Sequence, residues 1–232
     1  MTKKEVLQTV YGYLANELKN LGFKYIPKQS LLLKEDNNAF YTFQVLAYNR
    51  TVVDTQEKGW LLEPDVWITV KSVEEVYKEI TVNKVLVKLS DFLTLGNSLA
   101  NLQGNPDGIN KFRNQSFDIV VFNEMEIIQA QKNILNAFNK IGLNYFNKYG
   151  NIESADLLLN QHPKDYNVHM SNDSWRFIKG IISAKLNDNP ALPDLISTYY
   201  NKMKEWKMSD RTQEEWNNLM AILPMIGTQM KF

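Results

Sequence analysis

Apolar residues recur every third or fourth position through Val6, Val10, Tyr13, Leu14, Leu18 and Leu21, the spacing of one face of an α-helix. Thr2 and Glu5 stand in capping-box register before it, and Gly22 is placed to end it in the left-handed conformation. The period then drops to two. "SLLLKE", the turn "DNN" at Asp36 to Asn38 and "AFYTFQVLAY" form a hairpin with Tyr41, Phe43, Val45 and Ala47 on one side. "PDVWITVK" predicts another strand, with Val66, Ile68 and Val70 facing together and Trp67 opposite. Ser72 and Glu75 stand in register to cap a short helix ending near Ile80, and "NKVLVKL" is a further strand candidate.

"FDIVVF" reads as a compact strand. Asn123 with Glu126 then opens the longest helical pattern, Ile127 to Ile141, which Gly142 is placed to close. Four more segments, near 144–159, 174–186, 191–206 and 212–223, have helical spacing, the last with Thr212 and Glu215 in capping register. The expected fold class is α+β: an N-terminal helix and a mainly antiparallel sheet over 1–122, then an all-helical part over 123–232 packed on it as one unit. Trp175, Trp206 and Trp216 sit at core spacing in that half.

Composition narrows the function more than it defines it. The 232 residues carry 26 basic and 26 acidic side chains, mixed along the chain, so no net field draws nucleic acid or anionic lipid to it. The absence of cysteine removes thiolate catalysis, disulfides and Cys-based metal centres. "MTKKEVLQTVYGYL" lacks the apolar run of a signal peptide, and no stretch approaches about 20 apolar residues, so a cytoplasmic protein without membrane or nucleic-acid partners is expected. Adjacent carboxylates, Glu74 with Glu75 and Glu214 with Glu215, fit first helical turns, where the dipole favours negative charge.

Chemistry-bearing patterns are sparse. His162, Asp165 and His169 would line one face of a helix, as metal ligands require, but "MSNDS" gives that stretch no apolar support and it reads as a polar loop. Pro64 and Asp65 resemble the start of a metal-dependent nuclease motif, yet the acidic-x-Lys that should follow on the next strand is missing. No cofactor or metal is expected. Two stretches lack core periodicity: 49–63, holding Trp60, Leu61 and Leu62, and 97–116, holding Asn105 and Asp107. Long loops of this kind are often functional, and these five residues are the candidates for contact with a partner.

"NLGFKY" after the first helix, "AFYTFQVLAY", "FDIVVF", "IGLNYFNKYGNIESADLLL" and "WRFIKGIISAKLNDNPALPDLI" together resemble a group of bacterial α+β proteins of unknown function, some of them similar to toxin-immunity proteins. That resemblance implies a non-enzymatic protein that binds a cognate protein, and it assigns no functional residue. The alternative is an enzyme or small-molecule binder with a pocket between the sheet and the helical half.

Overall fold

A computed structural model of the chain describes residues 1–54, 56–83, 85, 88–104, 108 and 117–228. Helix α1 (Lys3–Leu18) begins at the Thr2–Glu5 capping box, and Gly22 takes φ +88° after a final tightened turn. Strands β1 (Lys24–Ile26), β2 (Leu31–Glu35), β3 (Ala39–Thr51) and β4 (Lys58–Val70) follow as an antiparallel meander. Asp36 builds the β2–β3 turn: one oxygen accepts from the Asn38 and Ala39 amides at 2.8 Å and the other from the Tyr41 hydroxyl at 2.7 Å. The far edge of β4 is shared by two short strands, β5 (Leu95–Ser98) at residues 65–68 and β6 (Ile119–Val121) at residues 60–62. The fold is α+β, with all pairings antiparallel.

One sheet face makes the core. Tyr41, Phe43, Val45 and Ala47 are buried there with Val66, Ile68 and Val70, as alternation requires. Against them lie α1 and one long helical run: α4 (Glu124–Ala137), a π-turn (Phe138–Gly142) and α5 (Leu143–Lys148). The Phe43 and Phe138 rings stack with centroids 4.3 Å apart, and Tyr41 meets Phe146 edge-on at 5.3 Å. Gly142 does not close a helix, because its φ of −63° is helical and the run continues through it. Its role is close approach: a Cβ there would stand 2.8 Å from Phe138 and 3.0 Å from Val66.

After β4 the chain turns directly into α2 (Lys71–Ile80), whose N-cap is Val70, without a side-chain cap from Ser72. In "NKVLVKL" the described positions 83, 85, 88 and 89 lie in no strand, and Val85 is exposed. A short α3 (Leu99–Gly104) follows β5. The C-terminal helices are α6 (Ile152–Asn160), α7 (Asp173–Leu186), α8 (Leu192–Glu205) and α9 (Asp210–Ile222). Ser209, not Thr212, caps α9. Trp216 is core, but Trp206 is 45% exposed on the end of α8.

Two buried polar networks bind these helices together. In the first, fully buried Glu74 of α2 pairs with Lys179 of α7 at 2.9 Å and accepts from Thr94 at 2.5 Å. Glu215 of α9, 2% exposed, accepts from Tyr77 and Thr81 at 3.1 and 2.7 Å and from Arg211 at 3.2 Å. Glu74 does stand in the first turn of α2, whereas Glu215 lies beyond the first turn of α9; both carboxylates point inward and join helices distant in sequence. In the second network, Asp156 of α6 accepts from Asn160, Asn187 and Asn189, while Tyr199 of α8 donates to Asn160 at 2.7 Å. Removing one partner of a buried pair costs more than removing both. Lys179→Met should therefore lose about 3–5 kcal/mol in urea unfolding, whereas Glu74→Leu/Lys179→Met should recover most of the loss; a double variant as unstable as the single one would refute the pair as a unit.

Candidate functional site

The outer side of the α4–α5 run borders a groove made of two adjoining depressions of about 550 and 500 Å³ that share Gln103, Lys140 and Ile141. Along α4 and the π-turn after it, positions 126, 129, 133, 136 and 140 recur at helical spacing, which places Glu126, Gln129, Asn133, Asn136 and Lys140 along one wall. Phe117 to Val120, leading into β6, form the opposite wall. Beyond Lys140 the groove continues between α5 and α6, past Tyr145, Lys148 and Tyr149 on one side and Leu157, Leu158 and Gln161 on the other. Asp118 and Glu126 line only the first depression and Lys148 only the second, with Lys140 where the two meet. Charge is thus separated along it.

His169 stands in the wall of the second end. Its approach is organised by Arg176, fully buried on α7, which donates to the carbonyls of Leu159 (3.1 Å), Asp165 (2.5 Å) and His162 (2.6 Å). Three guanidinium donors satisfied by backbone oxygens, with the Asp173 carboxylate 3.6 Å away, gather 161–172 into a loop around that side chain. His162 and Asp165 therefore serve the fold through their carbonyls. Among the described residues, no three His, Asp or Glu side chains converge as a metal site would need.

Residues 167–169 run beside β5 instead, where the Gly96 amide donates to the His169 carbonyl at 2.8 Å and Asn97 Nδ2 to the Val168 carbonyl at 2.8 Å. The imidazole, 8% exposed, stacks on Tyr145 with centroids 5.7 Å apart and meets Tyr149 edge-on. Nδ1 shares a hydrogen bond of 3.0 Å with the Tyr145 hydroxyl. Burial, and then the charge of Lys148, pushes the His169 pKa down to about 4; burial pushes the Tyr145 hydroxyl well up. Both groups are neutral near pH 7. Gly108 covers the ring from the other side: it adopts φ +74°, its carbonyl accepts from Val168 at 2.7 Å, and a Cβ on it would stand 3.2 Å from His169 Nε2.

The other sequence candidates are placed differently. Trp60, Leu61 and Leu62 are not in a loop; they sit in β4, paired with Asn49, Tyr48 and Ala47. Trp60 shares the core face with Leu62 and Val66, and its indole donates to the Met1 carbonyl at 3.3 Å. Leu62 is fully buried, and Leu61 is half-buried on the opposite face. Asn105 and Asp107 lie outside the described residues. Asp65, 6% exposed on β4, faces Gln44 and Ser98 across its neighbouring strands, so neither partner position supplies a second carboxylate. Sequence reasoning missed the α4–α5 wall altogether. Its available signal was a polar row at 129, 133, 136 and 140, continued by Tyr145 and Tyr149 four residues apart.

No family model, curated protein or solved structure matches the chain. No helix among the described residues is long and apolar enough to cross a membrane.

Two outcomes follow from these placements. Trp60→Ala should lower the melting temperature by destabilising the fold by about 2 kcal/mol, since it removes a ring packed on the core; an unchanged melting temperature would contradict that packing. His169 makes stability depend on pH with a definite sign. Its folded pKa lies below the unfolded value of 6.5, so the unfolded chain takes up a proton that the folded chain refuses between pH 6.5 and about 4. The stability due to neutral His169 is complete above that window and is lost as pH falls through it, by up to about 3 kcal/mol. Urea titrations of the wild type and His169→Gln at several pH values should show their difference shrinking over that interval; parallel curves would count against a buried neutral imidazole.

Proposed function

We propose that the chain is a non-enzymatic protein-binding protein that receives an extended segment of its partner in the groove along α4 and α5. The observation that carries this reading is the groove's form: two depressions joined end to end, acidic at one end and basic at the other. From Glu126 to Lys148 the helical run spans roughly 30 Å, the length of about nine or ten extended residues. Exposed amides on Gln129, Asn133 and Asn136 line it, suited to the backbone groups of such a segment.

The buried ionisable groups support the same reading because they are engaged elsewhere. Glu74, Lys179, Glu215, Asp156 and Arg176 each tie two or more elements together. The alternative, a small-molecule pocket between the sheet and the helical half, would use this same groove, whose walls are the β6 segment and α4; its length, two depressions joined end to end, suits an extended segment better than one compact ligand. The sequence resemblance to bacterial α+β proteins of unknown function, some of them similar to toxin-immunity proteins, would imply binding as well.

Asn133 and Leu157 are exposed positions near opposite ends of the groove. Once a partner is recovered in a stoichiometric complex with the full chain, calorimetry should show Asn133→Arg and Leu157→Arg each weakening Kd by about tenfold, or about 1.4 kcal/mol, with the melting temperature preserved. Unaltered Kd in both variants would place the interface elsewhere.

A further inference from the structure

Resting on the groove reading above, we propose that the His169 end of the groove takes an acidic segment of the partner: a carboxylate held by Lys140 and Lys148 beside an aromatic or leucine side chain lodged against Tyr149 and Leu157. The charge balance at this end departs from that of the molecule. In a chain with equal numbers of acidic and basic groups, the described residues lining this depression include two lysines and no carboxylate. At the opposite end Glu126 is occupied, accepting from the Phe122 amide at 2.7 Å and from Asn123 Nδ2 at 2.9 Å.

Both lysines are exposed, and one is held in place. Lys148 Nζ lies 4.9 Å from the Tyr149 ring centre, an orienting cation–π contact that reduces the freedom a ligand would have to freeze out. Its field already extends into the site, where it disfavours protonation of His169. Lys148 stands in the last turn of α5, where the helix dipole alone favours a cation; Lys140 stands within the π-turn, mid-run, where the dipole contributes little. A carboxylate between them adds a favourable interaction that neither lysine makes with a carboxylate among the described residues.

The apolar part of the site is equally specific in kind. Leu157 is 57% exposed on α6, although its neighbours Leu158 and Leu159 are buried. It faces the half-exposed Tyr149 across the depression, with Ile141 and Leu102 nearby. An apolar slot edged by lysines suits a side chain that is hydrophobic next to one that is negative, and repels a basic segment by like charge.

A fluorescein-labelled copolymer of glutamate and tyrosine supplies this chemistry without knowledge of the partner, and a lysine–tyrosine copolymer is its control. Anisotropy with the full chain should show saturable binding of the acidic copolymer only. Lys140→Glu/Lys148→Glu should weaken it by about tenfold or more with the melting temperature unchanged, and Lys140→Arg/Lys148→Arg should restore it. Absence of acidic-copolymer binding, equal binding of the basic copolymer, or indifference to charge reversal would each overturn the inference. Full displacement by inorganic phosphate would overturn it too, in favour of a small-anion site. The groove reading is judged separately by the natural partner's response to Asn133→Arg, so one can fall while the other stands.

Discussion

An ammonium group removed from water needs a counter-charge, and Lys179 is such a group. Burial lowers its pKa, opposed by the charge and hydrogen bond of Glu74. Three further partners share the work: the Leu93 carbonyl at 2.6 Å, and the faces of Tyr77 and Trp175 at 4.5 and 5.5 Å. Apolar residues of similar volume could fill this space with comparable stability, but they would not define which side of α7 meets α2. The ion pair does. With α7 rotated to present Lys179 to α2, Arg176 one turn earlier is directed at the carbonyls of 159–165, and the loop it gathers delivers His169 to the edge of β5. The far end of the groove is thus set by a contact buried elsewhere in the molecule.

Where burial repeats along an element, the sequence was a sufficient guide. The faces of α1 and β3, the α4 N-cap and the helical character of the C-terminal half were all legible, because one side of each meets the core and the other water. The β3–β4 hairpin was legible only as far as Ala47. Beyond it Tyr48 to Thr51 are exposed, so alternation disappears although the ladder continues to Thr51 and Lys58. Hydrogen bonding maintains strands there without any hydrophobic pattern, and "YNRTVVDTQEK" looks like a loop. Glu74 and Glu215 failed for the opposite reason: a carboxylate near a helix start usually faces solvent, and its inward turn depends on a lysine or a threonine more than a hundred residues away.

The groove was less legible than the fold. It draws on α3, the strand leading into β6, α4, α5 and α6, and each contributes residues that read as an ordinary solvated face. His169 was noticed for its chemistry, but its partners Tyr145 and Tyr149 sit in a segment whose spacing said only that it was helical. Polar surface acquires meaning when two such surfaces oppose each other, and that is a property of the tertiary arrangement.

The π-turn explains how one helical run serves core and groove together. In an uninterrupted α-helix, residues eight apart differ by about 80° in direction, so Phe146 would turn away from the stripe that Phe138 occupies. A π-turn absorbs one extra residue, which sets everything after it back by about 100°. Phe138 and Phe146 then stand within about 20° of each other and meet edge-on at 5.9 Å in the core. The same rotation carries Tyr145 and Tyr149 round to the side where Asn133 and Lys140 already face outward. Gly142 ends the turn because the re-phased helix runs so close to Val66 that no side chain fits between them. One inserted residue, held by one glycine, thus keeps the aromatic core continuous and brings the rings around His169 into line with the polar wall of α4.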